Sequence, residues 1–276
     1  MVTIAFVRLL LQLVSSPRLL ARVQVDITVI TYEPPVRQLR PRLELLLILS
    51  VRMINHIMFF VIFLISNTIG NVYISDTGNH RVRKIAISTD IITTIAGTGF
   101  SGYNGDGGQA TAANTQHPCN LNLDTSNNVY FGDYFAYNVI RKVDASTGII
   151  TTVAGTGSTS GGYNGDSIQA TAATLNNPDD IVLDSYNNLY IIDRSNNRIR
   201  KVDVSTGTIT TVVGTGDALS TGDGASATSA SINSPTYGRF DSAGNLYISE
   251  GDGFRIRKVI TVSTAIPTAS PTANPR

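Results

Sequence analysis

Three histidines, one cysteine and a set of glycine-flanked aspartates are the residues of this 276-residue chain whose chemistry could reach beyond packing. A metal-assisted hydrolase or lyase needs imidazoles or carboxylates converging on one point. His56 lies outside any patterned region, His80 sits in a turn, and His117 precedes Pro118. No two of them stand at metal-ligand spacing. Cys119 is the sole cysteine, which excludes an internal disulfide. It has no obvious activating base, and beside Pro118 at a strand start it reads as buried and inert. The serines lack a nucleophile-elbow context. Asp106, Asp166 and Asp223 stand on tight turns with Asn104, Gly105, Gly107 and Gly165. Oxygen donors on such turns suit Ca²⁺. They lack the alternating acidic ladder with a terminal Glu, and an aspartate in a turn commonly bonds its own backbone. The expectation is therefore no catalytic residues and no cofactor, with Ca²⁺ at these three aspartates as the alternative.

Recognition is the stronger expectation. Tyr134, Phe135 and Tyr137 stand together in DYFAYNVIRK, one residue longer than the related DRSNNRIRK. Tyr103 and Tyr163 lie in glycine-rich loops. Aromatic rings on loops suit contacts to a protein or a glycan. The competing reading packs the same rings against a neighbouring element.

What must position these residues is a repeat. NVYISD (71–76), NVYFGD (128–133), NLYIID (188–193) and NLYISE (245–250) carry tyrosines at 73, 130, 190 and 247. Each is followed by a basic stretch: RVRKI, VIRKV, RIRKV and RIRKV. A period of this size means one structural unit used repeatedly. In the third copy, IVLD, LYIID, RIRKVD and TITTVVG are four short strands separated by turn residues such as Asn187-Asn188 and Ser205-Thr206-Gly207. LYIID does not alternate, so both of its faces are covered. Four-stranded meanders covered on both faces describe the blades of a β-propeller. About 3.5–4 such blades are visible. Glycine-rich connections at 97–118, 155–178 and 214–235 join them, with an Ala/Thr part long enough for one helical turn. Connections of that length are often functional.

One acid ends each second strand (Asp76, Asp133, Asp193, Glu250), and one arginine lies in each third strand (Arg83, Arg141, Arg200, Arg257). At this fixed spacing they read as structural inter-blade residues, the arginine stems packing between blades and their charges pairing with the acid that ends the preceding strand. A nucleic-acid-binding ring is the rival reading. It is opposed by charge: residues 1–66 hold seven Arg and three acids, leaving the repeats at net −3. No nucleic-acid partner is expected.

The strings D-x-x-N-N-R-I-R-K-V, G-N-L-Y-I-S-D, I-T-T-V-A-G-T-G and the G-D-G-x-x-A-x-x-A loop together resemble NHL repeats. The likeness is to the long-loop type of bacterial and algal extracellular proteins and of teneurin-like propellers, and it covers about 67–264. The resemblance implies an all-β propeller that binds proteins, with RNA binding in some branches and metal-dependent lactonases and an amidating lyase among related propellers. The chain departs from the pattern in its blade number and in the prolines at 267, 271 and 275.

The expected organisation is 1–56, an Arg/Leu-rich segment read as a signal or anchor; 57–264, the propeller; and 265–276, a Thr/Pro-rich tail. The apolar run IMFFVIFLI (57–65) is too short for a spanning helix and matches the first strand of the first blade. These features lead to a non-catalytic binding or scaffold module for a protein or glycan. It is expected outside the cell or anchored to a membrane by its N-terminal segment, with association of copies if the ring is open. The alternatives are a propeller enzyme and a truncated gene product.

Overall fold

The computed structural model describes residues 2–11, 23–32, 47–50, 61–133 and 136–260. Tyr134, Phe135 and the tail at 265–276 lie outside the described residues. Near the N-terminus, β1 (Val2–Leu11) pairs antiparallel with β2 (Val23–Tyr32). Among the described residues no helix is long and apolar enough to cross a membrane.

Four antiparallel sheets follow. The first blade is β3 (Leu47–Ser50), β4 (Val61–Ser66), β5 (Val72–Asp76), β6 (Arg81–Ala86) and β7 (Ile91–Ala96). The second is β8 (Pro118–Leu123), β9 (Val129–Asp133), β10 (Val139–Val143) and β11 (Ile150–Ala154). In the third, β12 (Ile168–Gln169) flanks the meander of β13 (Pro178–Leu183), β14 (Leu189–Asp193), β15 (Arg198–Val202) and β16 (Thr208–Val213). The fourth holds β17 (Pro235–Phe240), β18 (Leu246–Glu250) and β19 (Arg255–Val259). The inner strands pack in series, β4 on β8, β8 on β13 and β13 on β17. The fold is an all-β propeller arrangement, as the repeat predicts.

The hairpin between first and second strands is set by one acid. Asp184 Oδ1 accepts from the Tyr186 and Asn188 backbone N–H groups, while Oδ2 accepts from Asn188 Nδ2. Asp124 and Asp241 repeat the device. Asn127 and Asn187 take φ of 64°, the left-handed region that Asn tolerates.

Each blade has a forward and a rear face. Tyr130 and Ile140 on the forward face of the second blade pack with Leu189, Ile191, Val202 and Ile209 on the rear face of the third. The first and second blades meet the same way through Tyr73 and Val82 against Val129, Phe131 and Val143. The third and fourth do so through Ile192 and Ile199 against Leu246 and Ile248. This packing explains why the second strands do not alternate.

The connections do more than cross. The expected helical turn is present as short 3₁₀ segments, Ala110–Ala112 and Ala170–Ala172. Before each of them, the chain pairs with the outer strand of the coming blade. Gln109 bridges Ile149, and β12 pairs with β16. This pairing was not expected from sequence, because its partner lies some forty residues ahead.

Candidate functional site

The turns between second and third strands and the starts of the inner strands share one end of the propeller. Thr77 Oγ1 donates to Pro118 O at 2.7 Å. Asn138 Oδ1 accepts from Asn177 N at 2.8 Å, and Asn197 Oδ1 from Ser234 N at 2.9 Å. His80 occupies the same left-handed position in the first blade, φ 53° against 50° and 51°. Its Nδ1 meets Gln116 O, and its ring lies edge-on to His117 at 5.7 Å. Burial first, and then His80, lower the His117 pKa.

The inner-strand starts are where the copies differ. They read Pro-Cys-Asn, Pro-Asp-Asp and Pro-Thr-Tyr at 118–120, 178–180 and 235–237. Asp180, 1% exposed, accepts from Arg239 Nη1 at 2.5 Å and from Gly238 N at 3.1 Å, tying the third blade to the fourth. Asp179 is half-buried and faces Arg194 at 3.5 Å. Burial pushes its carboxyl up to about 6; Arg194 opposes the rise, and Asp180 adds to it. Tyr237, half-buried, has its phenol pushed up by burial and then by Asp179 and Asp180. The Cys119 thiol is held far above its usual range by burial, then by Asp179, Asp133 and Asp180. A thiol so placed is a poor nucleophile. This end of the molecule thus presents a carboxylate, a phenol and two guanidinium groups, from Asp179, Tyr237, Arg194 and Arg239.

Sequence reading did not select Asp179, Tyr237, Arg194 or Arg239. The signal that could have found them is the divergence after each of Pro118, Pro178 and Pro235, in a unit otherwise repeated closely.

The residues selected from sequence are placed differently. Tyr103 is half-buried, with its hydroxyl 2.8 Å from Thr152 Oγ1 and its ring 5.2 Å from Tyr137. The Arg141 guanidinium also lies 5.2 Å from that ring. Tyr163 lies under Arg198 at 3.9 Å and Arg200 at 4.8 Å, and donates to Asp166 at 3.0 Å. Tyr103 and Tyr163 thus lie beside arginines of the following blade, Tyr163 with 39% of its surface exposed.

The loop aspartates also face arginines. Arg141 meets Asp106 at 2.6 Å, Arg200 meets Asp166 at 3.0 Å, and Arg257 meets Asp223 at 2.5 Å. Their oxygens serve as partners for cations of the chain itself. Among the described residues, no group of three or more His, Cys, Asp or Glu is arranged to hold a metal ion. Second-strand acids approach two of the same arginines, Asp193 to Arg200 at 3.7 Å and Glu250 to Arg257 at 3.2 Å, and in the first blade Asp76 approaches Arg83 at 3.7 Å. Asp133 instead accepts from the Gln116 and His117 N–H groups, and Arg141 acts on it at longer range.

Burial raises Asp133 and Asp193 to about 6, outweighing the hydrogen bonds and arginines that lower them. With Asp179 also near 6, the folded chain binds more protons than the unfolded one between the usual 3.8 and about 6. Their stabilising contribution is full below 3.8 and is lost as pH rises through 6. Asp144, Asp203 and Asp241, lowered mainly by turn hydrogen bonds, act oppositely but only at lower pH. The melting temperature, followed by calorimetry, should therefore decline from about pH 5 to about pH 7. A steady rise across that interval would contradict the assignment.

No family model matches the chain. Teneurin-4 of Mus musculus is 32% identical over 142 residues, covering 46% of this chain and 5% of the relative. NHL repeat-containing protein 2 of Gallus gallus is 46% identical over 37 residues, covering 13% of this chain and 5% of the relative. Among solved structures, a protein of unknown function from Bacteroides thetaiotaomicron superposes with a TM-score of 0.57 at 18% identity. An auxiliary nutrient binding protein from the same organism gives 0.53 at 16%. Both superpositions cover 78% of this chain and 56% of the other. A second auxiliary nutrient binding protein, from Bacteroides ovatus, gives 0.54 at 15%, covering 86% and 64%. The chain therefore spans a small fraction of the curated relatives and little more than half of the structures. Local sequence likeness to NHL-repeat proteins and the course of the backbone agree on one assignment: an all-β chain of the β-propeller class.

Proposed function

We propose that this chain is a binding module that takes a polyhydroxylated ligand, a glycan, at the end of the propeller where the inner strands begin. The observation that carries the reading is the convergence of Asp179, Arg194, Tyr237 and Arg239 at the inner-strand starts, where the repeats diverge after each proline. A carboxylate, a phenol and guanidinium groups supply both donors and acceptors, which hydroxyl-rich ligands require. The auxiliary nutrient binding proteins among the structural neighbours are consistent with a soluble-ligand role for such an end. The Cys119 thiol is buried and held protonated, so it contributes no nucleophile to this end.

A panel of neutral oligosaccharides tested by calorimetry should contain a binder. Asp179→Asn should weaken that binder about tenfold, the loss of one charge-assisted hydrogen bond. Affinity should also rise with pH through about 6, as the Asp179 carboxyl ionises. A binder whose affinity is untouched by Asp179→Asn and by Tyr237→Phe would place the site elsewhere. Capture of proteins but of no sugar would favour a protein ligand.

A further inference from the structure

Among the described residues the three junctions between blades are all of one kind, forward face on rear face, and the first and fourth blades each show one half of that junction exposed. On the forward face, Val82, Ile140 and Ile199 are 0% exposed, whereas Ile256 at the same position of the fourth blade is 77% exposed. Tyr73 and Tyr130 are 4% and 6% exposed, whereas the corresponding Tyr247 is 38% exposed. On the rear face, Phe131, Ile191 and Ile248 are 0% exposed, while their counterpart Ile74 in the first blade is only half-buried. Ile150 and Ile209 are also 0% exposed, and their counterpart Ile92 is 44% exposed. Strand register puts Val72, Ile74, Ile85 and Ile92 on one face of the first blade. It puts Tyr247 and Ile256 on the opposite kind of face in the fourth.

We infer that a second copy of this chain seats its first blade on the fourth blade of its partner, forward face on rear face. The argument for that occupant is complementarity already demonstrated inside the molecule. A forward face with a Tyr on its second strand and a β-branched residue on its third, Val82, Ile140 or Ile199, is matched three times by a rear face with an apolar pair on its second strand. The chain itself displays one unmatched example of each. Bare faces of this kind cost apolar exposure, which burial against a like blade removes. The junction is heterologous, and two copies make it twice.

Ile256→Asp and Ile74→Asp each spoil one half of the junction, and Ile92→Asp is a second rear-face variant at a more exposed position. Light scattering coupled to size exclusion, on the full chain, is the measurement. The native chain should have twice the chain mass, and each single variant should have the chain mass with an unchanged circular dichroism spectrum. Mixing the forward-face variant with either rear-face variant should restore the doubled mass, because one junction is then native on both sides. Loss of folding would not be repaired by mixing. A native chain that stays at the single mass at every concentration overturns the inference. So does a doubled mass that survives Ile256→Asp, or a mixture that stays single.

Discussion

Arg200→Met should cost about 3–5 kcal/mol of folding stability, the range seen when one partner of a buried ion pair is removed. The Arg200 side chain is 0% exposed. Its guanidinium donates to Gly165 O at 2.6 Å, meets Asp166 at 3.0 Å and approaches Asp193 at 3.7 Å. Methionine fills much of the stem volume and supplies none of the charge. Asp193, also 0% exposed, would then keep its neutral donors, Asn176 N and Asn196 Nδ2, and only the more distant charge of Arg198. Because Asp193 ionises near 6, the loss should be larger at pH 8 than at pH 5. Arg83→Met is the control. That side chain is 32% exposed and has one carboxylate, Asp76, at 3.7 Å. Its loss should stay below about 1 kcal/mol, as for exposed pairs. Urea denaturation of both variants gives the comparison, and equal losses would refute the buried-pair account.

Gly155→Ala should cost about 3 kcal/mol, from backbone strain and collision together. Gly155 ends an outer strand at φ 93°, and a methyl group there would run into the carbonyl of Asn138. Gly97 and Gly214 meet the carbonyls of His80 and Asn197 in the same way. The position is thus one where the outer strand crosses close to the turn that opens the third strand. Gly224→Ala separates the two contributions. It has φ 85° but nothing within 4 Å of the added methyl. Only the left-handed conformation is then penalised, at about 1–2 kcal/mol. Thermal or urea melts of the two variants should differ by at least about 1 kcal/mol. A Gly224→Ala loss as large as that of Gly155→Ala would remove the collision from the explanation.

The blade was legible in the sequence because its determinants are local. Asn187 and Asn188, Ser205 to Gly207, and the unbroken apolar run of LYIID lie within a few residues of what they specify. The long-range pairings were not. Asp166 stands 34 positions before Arg200, and an aspartate on a glycine-rich turn reads as bonding its own backbone until strand register brings the guanidinium beside it. Tyr163 reads as an exposed recognition ring, although its face covers Arg198 and Arg200. The candidate site was the least visible part. Asp179 looks like an ordinary strand start, and Arg194 and Tyr237 join it only because turns and inner strands share one end of the propeller.

The pairing of the first two connections with the strand that closes the next blade has a consequence in time. Gln109 and Gln169 emerge from a ribosome well before Thr147 and Thr206, whose carbonyls their side chains reach at 3.2 and 3.3 Å. Each new blade therefore folds back onto chain already delivered, and its last strand docks beside a waiting clasp. Assembly in this order keeps an unfinished sheet edge from being the outermost surface for long. Under a pull applied at the C-terminus, the same clasps make the blades yield in sequence, each release freeing the segment that held the one after it.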